Sequence, residues 1–382
     1  MGSKQHAYYF LEALSSLYHV YCIFFIPPHR QPPLDADSDL AGLNIKAYQF
    51  CNFNRPVRTD AFSRHLRNIT AFPSSYMTLA THRQAFRTIN TFIKKYAIDI
   101  VHFEHFWLTK YARFIRPEIK KVVVYHDLHH NLFRQLAKLE KKYHKKILQL
   151  ILCIKFYLFE RMLNNRVALK IFLNPIELLA FPENSVHLPH IVNRNINYNP
   201  VRSTDFFNIL FLGAYDHPPN RRSVGFIINQ ILPRLAAARK NFKLHVTGPG
   251  TEKFQDLVSN SPYREFVILN GFKHDINEAF HNMDIALLPI LDGGGIKTKI
   301  IDALASGVPV VTTPKGAEGL NKLSKGFIGI GRTPGELVTE MLNLMQDHDL
   351  RREKSERAKC FIDGEHSYDA LLGKLAQCYS YL

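Results

Sequence analysis

The chain is short of the features that staple or anchor a protein. Its five cysteines (Cys22, Cys51, Cys153, Cys360, Cys378) are scattered over 382 residues, with no Cys-x-x-Cys pair and no histidine at ligand spacing. That argues against a disulfide scaffold and a structural zinc site, and fits a reducing compartment. No uninterrupted apolar run is long enough to span a bilayer; the nearest, Ile147 to Phe159, is too short and contains Lys155. There is no basic-then-apolar leader at the start, no internal repeat and no low-complexity tract. Acidic residues are also few, 33 against 49 Lys and Arg, which gives a formal net charge of +16. Such an excess calls for an anionic partner: nucleic acid, an anionic membrane face or a phosphorylated small molecule. No zinc finger, RNP-like strand or recognition-helix pattern supports the first, so no nucleic acid is expected. The expected setting is cytoplasmic, with peripheral contact to the inner face of the plasma membrane as the nearest approach to lipid.

What is present is ample for packed cores. At 46% hydrophobic and 12% aromatic the chain is globular, and its length exceeds what one core supports, so two domains are expected. The second half alternates strand and helix. Apolar runs at Phe206–Leu212, Phe242–Thr247, Phe266–Leu269, Asp284–Pro289 and Val308–Thr312 read as buried strands. Gly213, Gly248, Gly271 and Gly293–Gly295 fall at strand ends, where a doubly wound parallel sheet binds its ligands. Asp275 is placed to cap the helix that follows it. The first half repeats the theme less regularly: helix Gln5–Leu17, strand His19–Ile26, helix Met77–Tyr96, strands Ile98–Phe103 and Lys121–Tyr125, one long basic-amphipathic helix from Asn131 to about Asn165, and strand Leu169–Leu173. The polar, Asn-rich stretch Asn193–Asp205 reads as a linker. The expected division is residues 1–195, residues 206–365, and a C-terminal helix, 366–382, packing back toward the first domain.

The most informative segment is PILDGGGIKTKIIDALASGVPVVTTPKGAEGL, Pro289 to Leu320. Gly293, Gly294 and Gly295 let the backbone take positive φ and approach a ligand closely. They open onto an amphipathic segment, so the free N–H groups of a helix start point into the loop, a ready phosphate site. Lys297 and Lys299 add positive charge, and Asp302 follows Lys299 on the same helical side. The bland alternative is a tight strand–helix connection with solvated lysines and a Lys299–Asp302 surface pair of little worth. The order of the surrounding elements favours a diphosphate-nucleotide pocket.

Four blocks then resemble the nucleotide-sugar half of GT-B glycosyltransferases of family four (glycosyl transferases group 1), and in particular a glycine-loop subgroup associated with bacterial surface polysaccharides. They are FLGAYDHPPN (Phe211–Asn220), LHVTGPG (Leu244–Gly250), VILNGFKHDINEAFHNMDIALLPI (Val267–Ile290) and GGGIKTKIIDALASGVPVVTTPKGAEGL (Gly293–Leu320). DIVHFEHF (Asp99–Phe106) and VVVYHDLHHNLFRQLA (Val122–Ala137) match more loosely in the first half. The resemblance implies an α/β, GT-B fold, two Rossmann-like doubly wound domains facing a cleft. It also implies a hexosyltransferase that uses a nucleoside diphosphate sugar as donor, with retention, without an obligatory metal or other cofactor, and with a glycan or lipid-linked acceptor. The pyrophosphate would lie on Gly294, Gly295, Ile296 and Lys297 at the helix start. Lys297 and Lys299 would carry the cationic role, with Lys299 counted catalytic. Asp302 stands where the family has a glutamate that accepts from the ribose hydroxyls, one methylene longer. Gly294 stands where many members carry an acid, for which Asp292 is a weak substitute. The loop after Gly213 has Pro-Pro-Asn in place of a basic pair. Glu318 would face the donor or else fix its own loop. His126, at a strand end, matches the position of a histidine facing the donor sugar; the structural reading of one histidine among 19 stands beside it. Asp127 reads equally as a cap. His102, Glu104 and His105 sit at a neighbouring strand end and are candidates for the acceptor side.

Two readings remain for the helical stretch around Lys138–Arg166: docking on anionic lipid, or, with fewer assumptions, a core helix with a solvated lysine face. MGSKQHAYYF resembles the family from the middle of its first strand–helix loop, so the first domain is expected to lack its first, normally central strand. Alternatives to transfer are a degenerate relative that keeps nucleotide binding or only the fold, and a sugar-nucleotide epimerase of the same architecture.

Overall fold

The computed structural model describes residues 2–26, 40–52, 72, 83–199, 206–320 and 326–382. It divides into two compact units, Met1–Pro189 with Leu371–Leu382, and His190–Ala370. In the first unit the helix Gly2–Leu17 leads into β1 (Val20–Ile26), which pairs in parallel with β2 (Ile45–Asn52). A separate parallel sheet runs β3 (Ile100–Phe103), β4 (Lys120–Tyr125), β5 (Leu169–Phe172), β6 (Ser185–His187). Among the described residues the strands of this unit thus fall into two sheets. Val123, Tyr125 and Phe172 pack with Phe103, Phe106 and Phe156 in its core.

The expected single helix from Asn131 to Asn165 is two, His129–Leu139 and Tyr143–Asn164. Glu140 and Lys142 are extended, and the Glu140 carboxylate accepts the Lys142 N–H at 2.9 Å. Apolar periodicity continues on both sides of this break, so hydropathy alone does not reveal it. Of the expected helix Met77–Tyr96, Arg83–Lys95 is helical and residues 77–82 lie outside the described residues.

The second unit is a six-stranded parallel sheet built from β7 (Phe207–Leu212), β8 (Phe242–Thr247), β9 (Val267–Gly271), β10 (Ile285–Leu288), β11 (Val310–Thr312) and β12 (Ile328–Ile330), in the order β12-β11-β10-β7-β8-β9. The chain builds outward from β7 through β8 and β9, then returns to β7's other side for β10. That reversal is the topological switch point of a doubly wound sheet, with its ligand crevice at the carboxyl ends of β7 and β10. Ile209, Leu210, Phe211, Ile285 to Leu288, Val310 and Val311 are all buried, as strands covered on both faces require. Residues Asn193–Asn199, expected as part of a linker, are tied to this unit. The Asn197 N–H donates to Asn277 Oδ1 (2.8 Å), Asn199 N–H to the Ser306 carbonyl (2.9 Å), and the Tyr198 hydroxyl pairs with Ser355 (3.1 Å). Residues 200–205 lie outside the described residues.

Candidate functional site

The switch point of the second unit gathers most of the candidates. The loop after β10 turns through Gly293 (φ 107°) and Gly295 (φ 64°), both left-handed; Gly294 is not, so two of the three glycines are required by conformation. The helix Thr298–Ala305 follows with no side-chain cap at its start. Its first N–H groups are therefore of the kind that bind phosphate.

Across the switch, the Gly213 N–H donates to the Thr247 carbonyl (2.9 Å), and the Gly248 N–H to that of Gly271 (2.8 Å). Gly248 (φ 146°) passes so close to Gly213 that a Cβ would stand 2.5 Å from the Gly213 oxygen. A Cβ on Gly213 would in turn meet the Asn220 amide at 2.7 Å. These glycines let three strand ends meet with side chains packed directly on backbone.

Asn220 is the residue this packing serves. Its Nδ2 donates to the Ala214 carbonyl (2.8 Å), and its Oδ1 accepts from Lys299 Nζ at 2.8 Å. Lys299 Nζ also donates to the Leu212 carbonyl (3.1 Å) and lies 4.7 Å from the Phe211 ring centre. The cation is thus clamped to the carboxyl end of β7. Burial, and then the neighbouring charge of Lys297, lower its pKa from 10.5 to about 7. Lys297 turns the other way, donating to the carbonyls of Gly294 (2.5 Å) and Gly295 (2.6 Å) in its own loop. Ile296 between them packs against the core of the unit.

Asp302 forms no ion pair with Lys299; the Asn193 backbone N–H donates to its carboxylate, and burial raises its pKa to about 7. The surface-pair reading of these two residues is therefore wrong: each is drawn toward its neutral form by burial. Asp292 is also committed, to a two-toothed ion pair with Arg222. Glu318 pairs with Lys315 three residues before it, so it fixes its own loop. Asn220, Arg222 and His217, whose pKa is lowered by burial and then by the Lys299 charge, come to this site from the loop and helix start after β7. The expected basic pair is missing from the loop after Gly213; Arg222 lies in the helix Pro218–Phe226 that follows, and only the fold shows that it meets Asp292.

In the first unit, His126 follows β4 and its Nε2 lies 3.2 Å from Glu104 Oε1. His102 Nε2 lies 3.1 Å from the other carboxylate oxygen, and His102 Nδ1 lies 2.5 Å from the Tyr379 hydroxyl. A carboxylate only accepts, so both Nε2 atoms carry protons and a neutral His126 keeps its lone pair on Nδ1. Burial alone would raise the Glu104 carboxyl, but the two histidine hydrogen bonds and the charges of His102 and His6 hold it well below the usual carboxylate range. The His105 ring lies beside that of His126, centres 4.9 Å apart and tilted by 32°, and burial lowers its pKa. His126, His102, Glu104 and His105 are thus one cluster. Asp127 does not cap the helix that follows; Leu128 is its N-cap. Among the described residues no group of three or more His, Cys, Asp or Glu is arranged to hold a metal ion.

Residues 207–347 match the family model described as glycosyl transferases group 1. No protein of curated function matches the chain in sequence. Solved structures do match in fold. Sucrose-phosphate synthase from Thermosynechococcus elongatus has a TM-score of 0.70 at 12% identity, over 100% of this chain and 93% of that one. Anabaena HepE in complex with UDP has 0.67 at 12%, over 100% and 97%. TarM has 0.55 at 15%, over 71% of this chain and 52% of its own length, so this chain spans about half of it. At these identities the likeness is one of fold. The chain has the GT-B fold, and the part of its second unit that matches the glycosyl transferases group 1 model, residues 207–347, holds the switch-point residues described above.

Proposed function

We propose that this chain moves a hexose-type sugar from a nucleoside diphosphate sugar to a glycan or lipid-linked acceptor, with retention, in surface polysaccharide or lipopolysaccharide synthesis at the cytoplasmic face of a membrane. The observation that carries the reading is the pairing, at the switch point of the second unit, of an uncapped helix start with Lys299 clamped to the end of β7. The bond from the anomeric carbon to the diphosphate breaks as the acceptor oxygen forms the new one, and negative charge grows on the departing phosphate. Fixed N–H dipoles and a desolvated ammonium stabilise that charge most in the transition state. Lys299 supplies the ammonium, Gly293 to Gly295 admit the phosphates, and the Asp302 carboxylate accepts from the ribose hydroxyls. His126, oriented by Glu104, hydrogen-bonds the sugar or takes the acceptor's proton on Nδ1. In this reading Lys299 and the N–H groups of the helix start serve the leaving group, without an obligatory metal.

HepE has been solved with UDP and with UDP-glucose, which makes uridine the first base to try. The test is thermal shift with a panel of nucleoside diphosphates and their sugars. One nucleotide is expected to raise the melting point selectively, by about 2.7 kcal/mol of added stability at a hundredfold excess over Kd. A cooperative melt that no nucleotide moves would sink the reading and favour a relative that keeps only the fold. Epimerisation of the donor sugar without any acceptor would instead identify an epimerase.

A further inference from the structure

The helix Tyr143–Asn164 is apolar on two opposite sides. Leu152, Phe156 and Leu163 are buried in the core of the first unit. On the other side Tyr143, Ile147, Leu150, Ile154 and Leu158 recur every three or four residues, the spacing of one helical face. They are 78%, 40%, 44%, 60% and 46% exposed. A core helix with a solvated lysine face, the simpler expectation from sequence, does not describe this: the solvent face is itself a continuous apolar stripe. Leu136 and Leu139, at the end of the preceding helix, are exposed as well.

The charge around the stripe has one sign. Between Arg134 and Arg166 there are nine Lys and Arg against two Glu. Of those two, Glu160 is turned fully inward, where it accepts the His129 N–H at 2.8 Å. Lys141, Lys142, Lys145 and Lys146 are all exposed at the helix start.

We propose that this face docks on an anionic lipid surface, the helix lying in the plane of the headgroups with its apolar stripe inserted and its lysines against lipid phosphates. The inference rests on the membrane setting proposed above, and vesicle binding reads it without any sugar transfer. A second copy of the chain is the wrong occupant: the chain carries +16, and a two-fold contact would press lysines against lysines. Among the described residues no helix is long and apolar enough to cross a bilayer, so insertion is shallow.

The test is flotation of the full chain with phosphatidylcholine vesicles, with and without phosphatidylglycerol. The wild type is expected to float with the anionic vesicles only, and less as salt screens the lysines. The triple variant Leu150→Gln, Ile154→Gln, Leu158→Gln is expected to lose about tenfold or more in partitioning, because three inserted side chains become polar. Lys145→Gln with Lys146→Gln is expected to weaken binding at low salt and to flatten its salt dependence. All these side chains are exposed, so the melting temperature and any nucleotide-induced shift should match the wild type. Flotation without nucleotide stabilisation would leave this inference standing while the donor site failed. Absence of flotation, equal binding to neutral vesicles, or a concentration-dependent dimer that the triple variant dissolves would each overturn it.

Discussion

If Lys299 receives the diphosphate, nucleotide binding must take up a proton. In the free protein its ammonium faces the Phe211 ring, is held by the Leu212 carbonyl and Asn220, and has a pKa brought down from 10.5 to about 7 by burial and then by Lys297. A bound diphosphate supplies the missing counter-charge and returns the group toward its ordinary value. Affinity is then full below pH 7 and falls about tenfold per pH unit from there to about pH 10, with ~0.9 proton taken up per ligand at pH 8. Titration calorimetry with UDP at pH 8, in two buffers of different ionisation enthalpy, reads that number as the slope of observed against buffer enthalpy. A zero slope at pH 8 would refute the placement of Lys299. Lys299→Arg should bind with no proton uptake in this range, and Lys299→Met should lose about 1.5–3 kcal/mol of nucleotide affinity, the worth of a charge-assisted bond. The same depression acts on the free fold. The native state holds fewer protons on Lys299 than the unfolded state between about pH 7 and 10.5, so stability relative to Lys299→Met should rise with pH across that window.

Four further outcomes follow from the structure. Gly213→Ala forces its methyl into the Asn220 amide that holds Lys299, so it should cut nucleotide affinity several-fold while changing the melt little; Gly248→Ala, strained in φ and against the Gly213 carbonyl, should cost about 1–3 kcal/mol in denaturant unfolding. Asp302 has a raised native pKa, so the cost of keeping it grows from its ordinary value, near 4, up to about 7; Asp302→Asn should therefore gain more in melting temperature at pH 8 than at pH 5, and an equal gain would place the carboxylate in solvent. Glu104 has a lowered native pKa, so its stabilisation is complete above its ordinary 4.5 and lost as pH falls below it. Glu104→Gln should destabilise at pH 7 and lower turnover more than it changes KM, and an unchanged pH–rate profile would make the cluster merely structural.

The sheet of the second unit was legible because strands buried on both faces are written as unbroken apolar runs, FFNILFL above all, and because only glycine tolerates the contact between Gly213 and Gly248. Pairing of side chains across the switch point left no such trace. Lys297 and Lys299 look equivalent in GIKTKI, two positions apart at a helix start, yet one returns to its own loop carbonyls and the other crosses to β7. What separates them is Asn220, 79 residues away in the chain, whose oxygen is held in place by its packing on Gly213. Asp292 and Arg222 are joined over a similar span. Local pattern specifies where a loop goes, because backbone conformation is a local matter; which charge remains to meet a ligand depends on neighbours brought in by the fold. The same reasoning applies to the helix Tyr143–Asn164. Its periodicity reports two apolar sides, and burial of Leu152, Phe156 and Leu163 decides which side the protein itself uses. The other side remains a surface whose apolar stripe and lysines together match lipid better than water.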